Sequence, residues 1–188
     1  MRIILGKWKG RKLDAKLPSG IRPTQDAVRE TIFNILSNYI DFDESQCADI
    51  CAGAGMLGIE ALSRGAEKVY FVDKNYKATE YIKNSLKLIE ADPNQYKICK
   101  LDAIQFINHY ADDTAPPKLL DVVFADPPYN TSIANDILLI TSEKPILRKD
   151  GILVLETAIF TQLSKLESYE LLRERQFGAS KISIFRKT

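Results

Sequence analysis

The chain has little of what disulfide-framed, zinc-bound or membrane-spanning proteins need. Its 188 residues include 3 cysteines and 1 histidine. Cys47, Cys51 and Cys99 are odd in number and unrelated in spacing, which argues against a disulfide framework. Cys47 and Cys51 lie in an apolar, strand-like stretch, where free cysteine behaves as a small hydrophobe. With His109 alone, a zinc site lacks ligands of the usual type and spacing, so no metal is expected. His109 stands beside Tyr110 on a predicted helix and reads as a surface or boundary residue. No run approaches the roughly 20 apolar residues of a membrane span. The N-terminus has no apolar run long enough for a signal peptide. A cytoplasmic location, no membrane partner and a monomeric state are the expectations.

A hydrophobic content of 45% and a charged content of 27% are those of an ordinary globular chain, able to bury a core without staples. The net charge of +1 conceals an uneven distribution. Arg2, Lys7, Lys9, Arg11, Lys12, Lys16 and Arg22 face only Asp14 within residues 1–22, so the remainder is acidic on balance. A short basic segment carrying Trp8 suits either a phosphate-contacting surface or a solvated hairpin.

Residues 2–5 and 11–15 read as two short strands around Lys7-Trp8-Lys9-Gly10. After the Pro18-Ser19-Gly20 loop and Pro23, Thr24 is the expected N-cap of an amphipathic helix over 24–40, with Val28, Ile32, Ile35 or Leu36, and Tyr39 on one face. Apolar β-rich runs then fall at 47–51, 68–72, 96–99, 121–125 and 151–155. Helical segments near 57–65, 76–91, 103–110 and 131–142 lie between them. This alternation predicts an α/β fold with βαβ units and a mostly parallel sheet. Tyr169–Phe177 and Lys181–Arg186, joined through Gly178, are too close for a crossover and predict an antiparallel pair. Two parts are expected, an N-terminal hairpin-and-helix extension (1–40) and a catalytic domain (41–188).

Gly53, Gly55 and Gly58 follow the first strand of the main sheet in a G-x-G-x-x-G arrangement, which brings backbone close to a ligand at a strand's C-terminal end. Alone, the pattern does not separate NAD from another adenosine cofactor. Asp73, ending the second strand, can accept both hydrogen bonds of a ribose diol. Asp49 adds negative charge beside the turn, which suits an ammonium and a sulfonium and repels a pyrophosphate. Asp102, after the third strand, is placed either to accept from an adenine amino group or to cap a helix.

Asp126-Pro127-Pro128-Tyr129 leaves the fourth strand. The prolines stiffen the exit and hold the backbone at Asp126 extended. The Asp126 carboxylate and the Pro127 carbonyl then form two acceptors aimed at one point, and Tyr129 offers a ring for stacking. An exocyclic aryl amine has two N–H donors, and accepting both directs its lone pair at a methyl group. Displacement at a sulfonium needs positioning and electrostatics, so no catalytic histidine or nucleophile is required.

With these residues in view, the chain resembles the RsmD family of small-subunit (16S) rRNA guanine methyltransferases. Met1-Arg2-Ile3-Ile4 with Gly6-Lys7-Trp8-Lys9-Gly10-Arg11-Lys12-Leu13 looks like that family's opening. Arg22-Pro23-Thr24 with Val28-Arg29-Glu30-Thr31-Ile32-Phe33-Asn34, and Leu57-Gly58-Ile59-Glu60-Ala61-Leu62-Ser63-Arg64-Gly65-Ala66, extend the likeness. Cys51 and Ala54 depart from it, standing where phenylalanine and serine or threonine are usual.

The resemblance implies a seven-stranded, Rossmann-like S-adenosylmethionine methyltransferase fold and methylation of a guanine 2-amino group in 16S rRNA, within an assembled or assembling small subunit. It implies cofactor contacts at Asp49, Gly53, Gly55, Asp73 and Asp102, and a target guanine against Asp126, Pro127, Pro128 and Tyr129. Phosphate contacts are implied at Lys7, Lys9, Arg11, Lys12 and Arg22. The same tetrapeptide also serves amino-group methylation of adenine or cytosine in DNA, but the chain lacks room for a sizeable DNA-recognition domain. An NAD-dependent oxidoreductase has only the glycine pattern behind it, and a non-enzymatic RNA-binding assembly factor requires an idle Asp126.

Overall fold

The computed structural model describes residues 1–13, 17, 24–112, 118–129 and 131–188. Successive buried residues along the strands point alternately to two different hydrophobic clusters, and this sets the layers. Cys47, Val69, Phe71, Val122, Phe124, Ile152, Val154, Ile182 and Ile184 feed one hydrophobic cluster, and Ala48, Ile50, Val72, Val123, Ala125, Leu153, Leu155 and Phe185 feed the other. Such strands, buried on both faces, form the interior of a sheet covered by helices on each side.

The elements are α1 (Asp26–Leu36), β1 (Gln46–Ile50), α2 (Met56–Ser63), β2 (Lys68–Val72), α3 (Tyr76–Leu88), a 3-10 turn (Pro93–Gln95), β3 (Tyr96–Cys99), α4 (Ala103–Asp112), β4 (Leu120–Ala125), α5 (Ile133–Glu143), β5 (Leu147–Ala158), β6 (Tyr169–Phe177) and β7 (Ser180–Lys187). The seven strands run β3-β2-β1-β4-β5-β7-β6. Neighbours from β3 to β5 are parallel, and β7 pairs antiparallel with both β5 and β6. The parallel core and antiparallel tail are therefore as the alternation predicted. Strand order reverses between β2-β1 and β1-β4, and ligands of open α/β sheets bind beside the carboxyl ends of strands at such a point. Among the described residues, no helix is long and apolar enough to cross a membrane.

The N-terminal region departs from its sequence pattern. The two expected strands reduce to one antiparallel bridge, Arg2 with Lys12, and residues 14–16 lie outside the described set. Backbone bonds still cross from Ile3 N–H to the Arg11 carbonyl and from Leu13 N–H to the Met1 carbonyl, both at 3.0 Å, and the fully buried carboxylate of Glu60 on α2 accepts the N–H groups of Ile4 and Leu5, both at 2.9 Å, where the chain turns away. Ser63 accepts from the Trp8 N–H at 3.1 Å and donates to the Leu5 carbonyl at 2.6 Å. Trp8 is accordingly buried, not presented to a ligand.

The helix expected over 24–40 is Asp26–Leu36, and Thr24 does not cap it; the N-cap position is Gln25, without a side-chain cap bond. Fully buried Arg29 explains the local path, since its guanidinium donates to the carbonyls of Thr24 at 2.8 Å and Arg2 at 2.6 Å. It also pairs with Asp26 at 3.1 Å. Ile3, Trp8 and Leu13 join Val28, Ile32, Phe33 and Ile59 in one cluster, so the opening segment packs directly on α1 and α2.

Candidate active site

The glycine turn between β1 and α2 carries two separate demands. Gly55 has φ +70 and Gly53 has φ +54, backbone that L side chains rarely adopt. A β-carbon on Gly58 would meet the Phe71 ring at 2.3 Å, so this glycine serves helix-on-strand packing and not ligand approach. Cys51, just before the turn, also holds a positive φ of 59.

Carboxylates hold this turn in place. Asp49 is buried, and its Oδ2 accepts the Gly58 N–H at 2.9 Å, pinning the first turn of α2 to β1. Asp73 leaves β2 and accepts from Gly53 N–H at 2.9 Å through one oxygen and Asn75 N–H at 2.8 Å through the other. A carboxylate offers about four lone-pair positions. Asp73 thus keeps capacity for a diol after fixing the loop that would surround it. Asp102 accepts the Gln105 N–H at 2.9 Å, which makes it the N-cap of α4; one of its oxygens is committed to that role.

Asp126 stands one residue beyond the pair Ala125↔Leu155, as does Glu156 on β5, so the two side chains leave adjacent strands on the same side of the sheet. Burial, then the charge of Glu156, pushes the Asp126 carboxyl up to about 7. Asp49 is pushed up to about 8 by burial, with smaller contributions from the charges of Asp126 and Asp73, against the opposing Gly58 hydrogen bond. The Cys51 thiol rises to about 12, chiefly through burial and then through Asp73, Asp126 and Asp49, with Lys74 as a partial offset. Three carboxylates therefore converge around Cys51 at the carboxyl edge of β1, β2 and β4. A cation is favoured there and a pyrophosphate repelled. The residues fit a ligand with a ribose diol and a positive centre.

Tyr129 sits at the rim, 38% exposed, and its hydroxyl donates to Glu156 Oε1 at 2.7 Å. Pro127 beneath it is buried and Pro128 is exposed. The structure thus brings together Asp49, Gly53, Gly55, Asp73 and Asp126 through Tyr129. Asp102 lies at the adjoining carboxyl end of β3.

The basic candidates are elsewhere. Lys7, Lys9 and Lys12 are exposed on the opening segment, whose turn docks at Ser63, the far end of α2 from the site. Arg11 donates to the Ile89 carbonyl at 2.9 Å and thereby caps α3. Arg22 lies outside the described residues.

Two further residues at this edge stand out only in the folded chain. Glu156 ends an apolar strand run, and only the β4–β5 register reveals that it neighbours Asp126. Phe160, 90% exposed just past β5, carries the signal of a large apolar residue in a loop at the carboxyl edge.

A family model described as "Conserved hypothetical protein 95" matches residues 1–186. The chain is 34% identical over 178 residues to "Ribosomal RNA small subunit methyltransferase D" of Haemophilus influenzae, covering 95% of this chain and 89% of the relative. It is 30% identical over 179 residues to the protein of the same name from Escherichia coli strain K12, covering 95% and 85%. The solved structure of yhhF from Escherichia coli superposes with a TM-score of 0.84 at 27% identity, covering 100% of this chain and 97% of that one. With the match running from the opening segment to the final strand, the chain belongs to the RsmD family, the family of the ribosomal RNA small subunit methyltransferases D.

Proposed function

We propose that this protein transfers a methyl group from S-adenosylmethionine to the exocyclic 2-amino group of a guanine in 16S rRNA, acting in the cytoplasm on an assembled or assembling small subunit. The observation that carries the proposal is the placement of Asp126, half-buried at the end of β4, beside a turn fixed by Asp49 and Asp73. The cofactor supplies an electrophilic methyl on a sulfonium, and a neighbouring cluster of carboxylates favours that charge.

In this mechanism Asp73 binds the ribose diol, and Asp49 holds the turn that carries Gly53 and Gly55. Asp102 accepts from the adenine amino group with the oxygen not used in capping. Asp126 and the Pro127 carbonyl accept the two amino N–H bonds of the target base, orienting the nitrogen lone pair. Pro128 keeps the Pro127 carbonyl from turning away. Tyr129 stacks on the base plane from the rim. The extension of residues 1–40 supplies RNA contacts through Lys7, Lys9, Arg11, Lys12 and Arg22. An RNA touching both the tetrapeptide and the basic turn spans at least the 8 residues of α2, a rise of about 12 Å. That distance suits a folded, extended substrate.

The test supplies purified protein with methyl-labelled S-adenosylmethionine and under-methylated small subunits. Label recovered as N2-methylguanosine in 16S rRNA is the expected result. No label, from an enzyme that is folded and binds the cofactor, overturns it.

A further inference from the structure

We infer that Glu156 reads the ring N1–H of the target base, so that the site admits guanine and rejects adenine and cytosine. The inference rests on the amino-methylation proposal above and assigns its base specificity to a residue outside the tetrapeptide.

The chemistry follows from the edges of the bases. Each of the three amino-bearing bases presents N–H donors at its amino group, and Asp126 with the Pro127 carbonyl suits all of them alike. They differ at the adjacent ring nitrogen. Guanine N1 carries a hydrogen and donates, whereas adenine N1 and cytosine N3 carry a lone pair and accept. A second carboxylate beside Asp126 accepts from guanine and repels the other two. A buried polar group left unpaired by the wrong ligand is the strongest source of such discrimination.

Glu156 occupies that place. The pairs Phe124↔Val154 and Ala125↔Leu155 carry straight into Asp126 and Glu156, on neighbouring strands and the same side of the sheet. Glu156 is half-buried, and Oε1 is anchored by the Tyr129 hydroxyl at 2.7 Å. That bond orients the carboxylate and ties it to the ring expected to stack on the base. Oε2 is then left to accept from the ligand. One acceptor group thus faces the amino nitrogen and another the ring nitrogen beside it.

Once the methylated guanine is mapped, small subunits are reconstituted with 2-aminopurine in its place. This base keeps the 2-amino group but has a lone pair at N1. For the wild-type enzyme, kcat/KM is expected to fall on the order of ten- to hundredfold on the analogue, the range of one good base contact. Glu156→Gln should lower the rate on guanine and bring the two substrates within about threefold, because the amide can donate to the analogue's N1. Equal wild-type rates on guanine and 2-aminopurine overturn the inference, as does a Glu156→Gln enzyme that keeps the full discrimination. The wild-type comparison decides even if the variant does not fold. Failure to label guanine at all defeats the amino-methylation proposal instead, so the two failures are distinct.

Discussion

Gly6 lies so close to Ser63 that a β-carbon on it would sit 1.7 Å from the Ser63 carbonyl oxygen. The same carbonyl accepts the Lys7 N–H at 2.6 Å. The opening segment is thus seated on the end of α2 by backbone contact, in a conformation (φ +87) that suits glycine.

Gly6→Ala therefore has no room and the wrong backbone. It should unseat the segment and lower the melting temperature by roughly 4–10 °C, a few kcal/mol for a chain of this size. Cofactor affinity, measured by calorimetry, should change little because the turn at Gly53–Gly55 is held from β1 and β2. Methylation of rRNA should fall with the lost basic surface. Unchanged melting and unchanged transfer would contradict this docking role.

Asp126→Ala removes one of the two acceptors proposed for the amino group and leaves Asp73 and the glycine turn intact. Transfer should drop by roughly a hundredfold or more. Cofactor affinity should stay within several-fold of wild type, falling slightly as one carboxylate that favours the sulfonium disappears. Single-turnover kinetics with calorimetry checks both. Near-wild-type transfer would remove Asp126 from the mechanism.

Much of this frame is legible in the sequence. The helix–strand alternation, the antiparallel tail joined at Gly178 and the placement of Asp73 and Asp126 at strand ends all follow from local pattern. What is hidden depends on distant pairing. Glu60 reads as an ordinary helix acid, yet it is buried because Ile4 and Leu5 bring unpaired N–H groups to it. Trp8 reads as a possible contact in a basic segment, yet that same docking covers it. Glu156 gains its meaning only from the register with β4. Asp102 reads in sequence as either a cofactor contact or a helix cap, and the structure displays the capping role.

The raised carboxyls give the apo-protein a signed pH dependence. Asp49 at about 8 and Asp126 at about 7 both stand above the ordinary 3.8, mainly through burial. Between about pH 4 and 8 the folded apo-protein therefore holds protons that the unfolded chain has released. Its stability should fall as pH rises through that window and level off above it. A cationic cofactor favours the ionised carboxylates, so binding should release protons near neutrality and tighten as pH rises from about 6 to 8.5. Calorimetry in buffers of different ionisation enthalpy measures this directly. Proton uptake on binding would contradict it.

Phe160, 90% exposed at the carboxyl edge, is expected to meet an unstacked nucleotide. Phe160→Ala should weaken rRNA binding by roughly tenfold, within the range for loss of one base–aromatic stack. Melting temperature and cofactor affinity should remain as in wild type, since the ring has little to lose from the fold. Equal RNA affinity of the two proteins in filter binding would show that the ring plays no part.

The central claim, that Asp126 and its neighbours methylate a guanine amino group in 16S rRNA, is tested most directly by mass spectrometry of rRNA from cells with and without this gene. One N2-methylguanosine present in the first and missing from the second is the predicted result. It should return when the wild-type gene is restored and stay missing with Asp126→Ala. An unchanged set of methylguanosines, or a lost methyl on adenine or cytosine instead, would contradict the account.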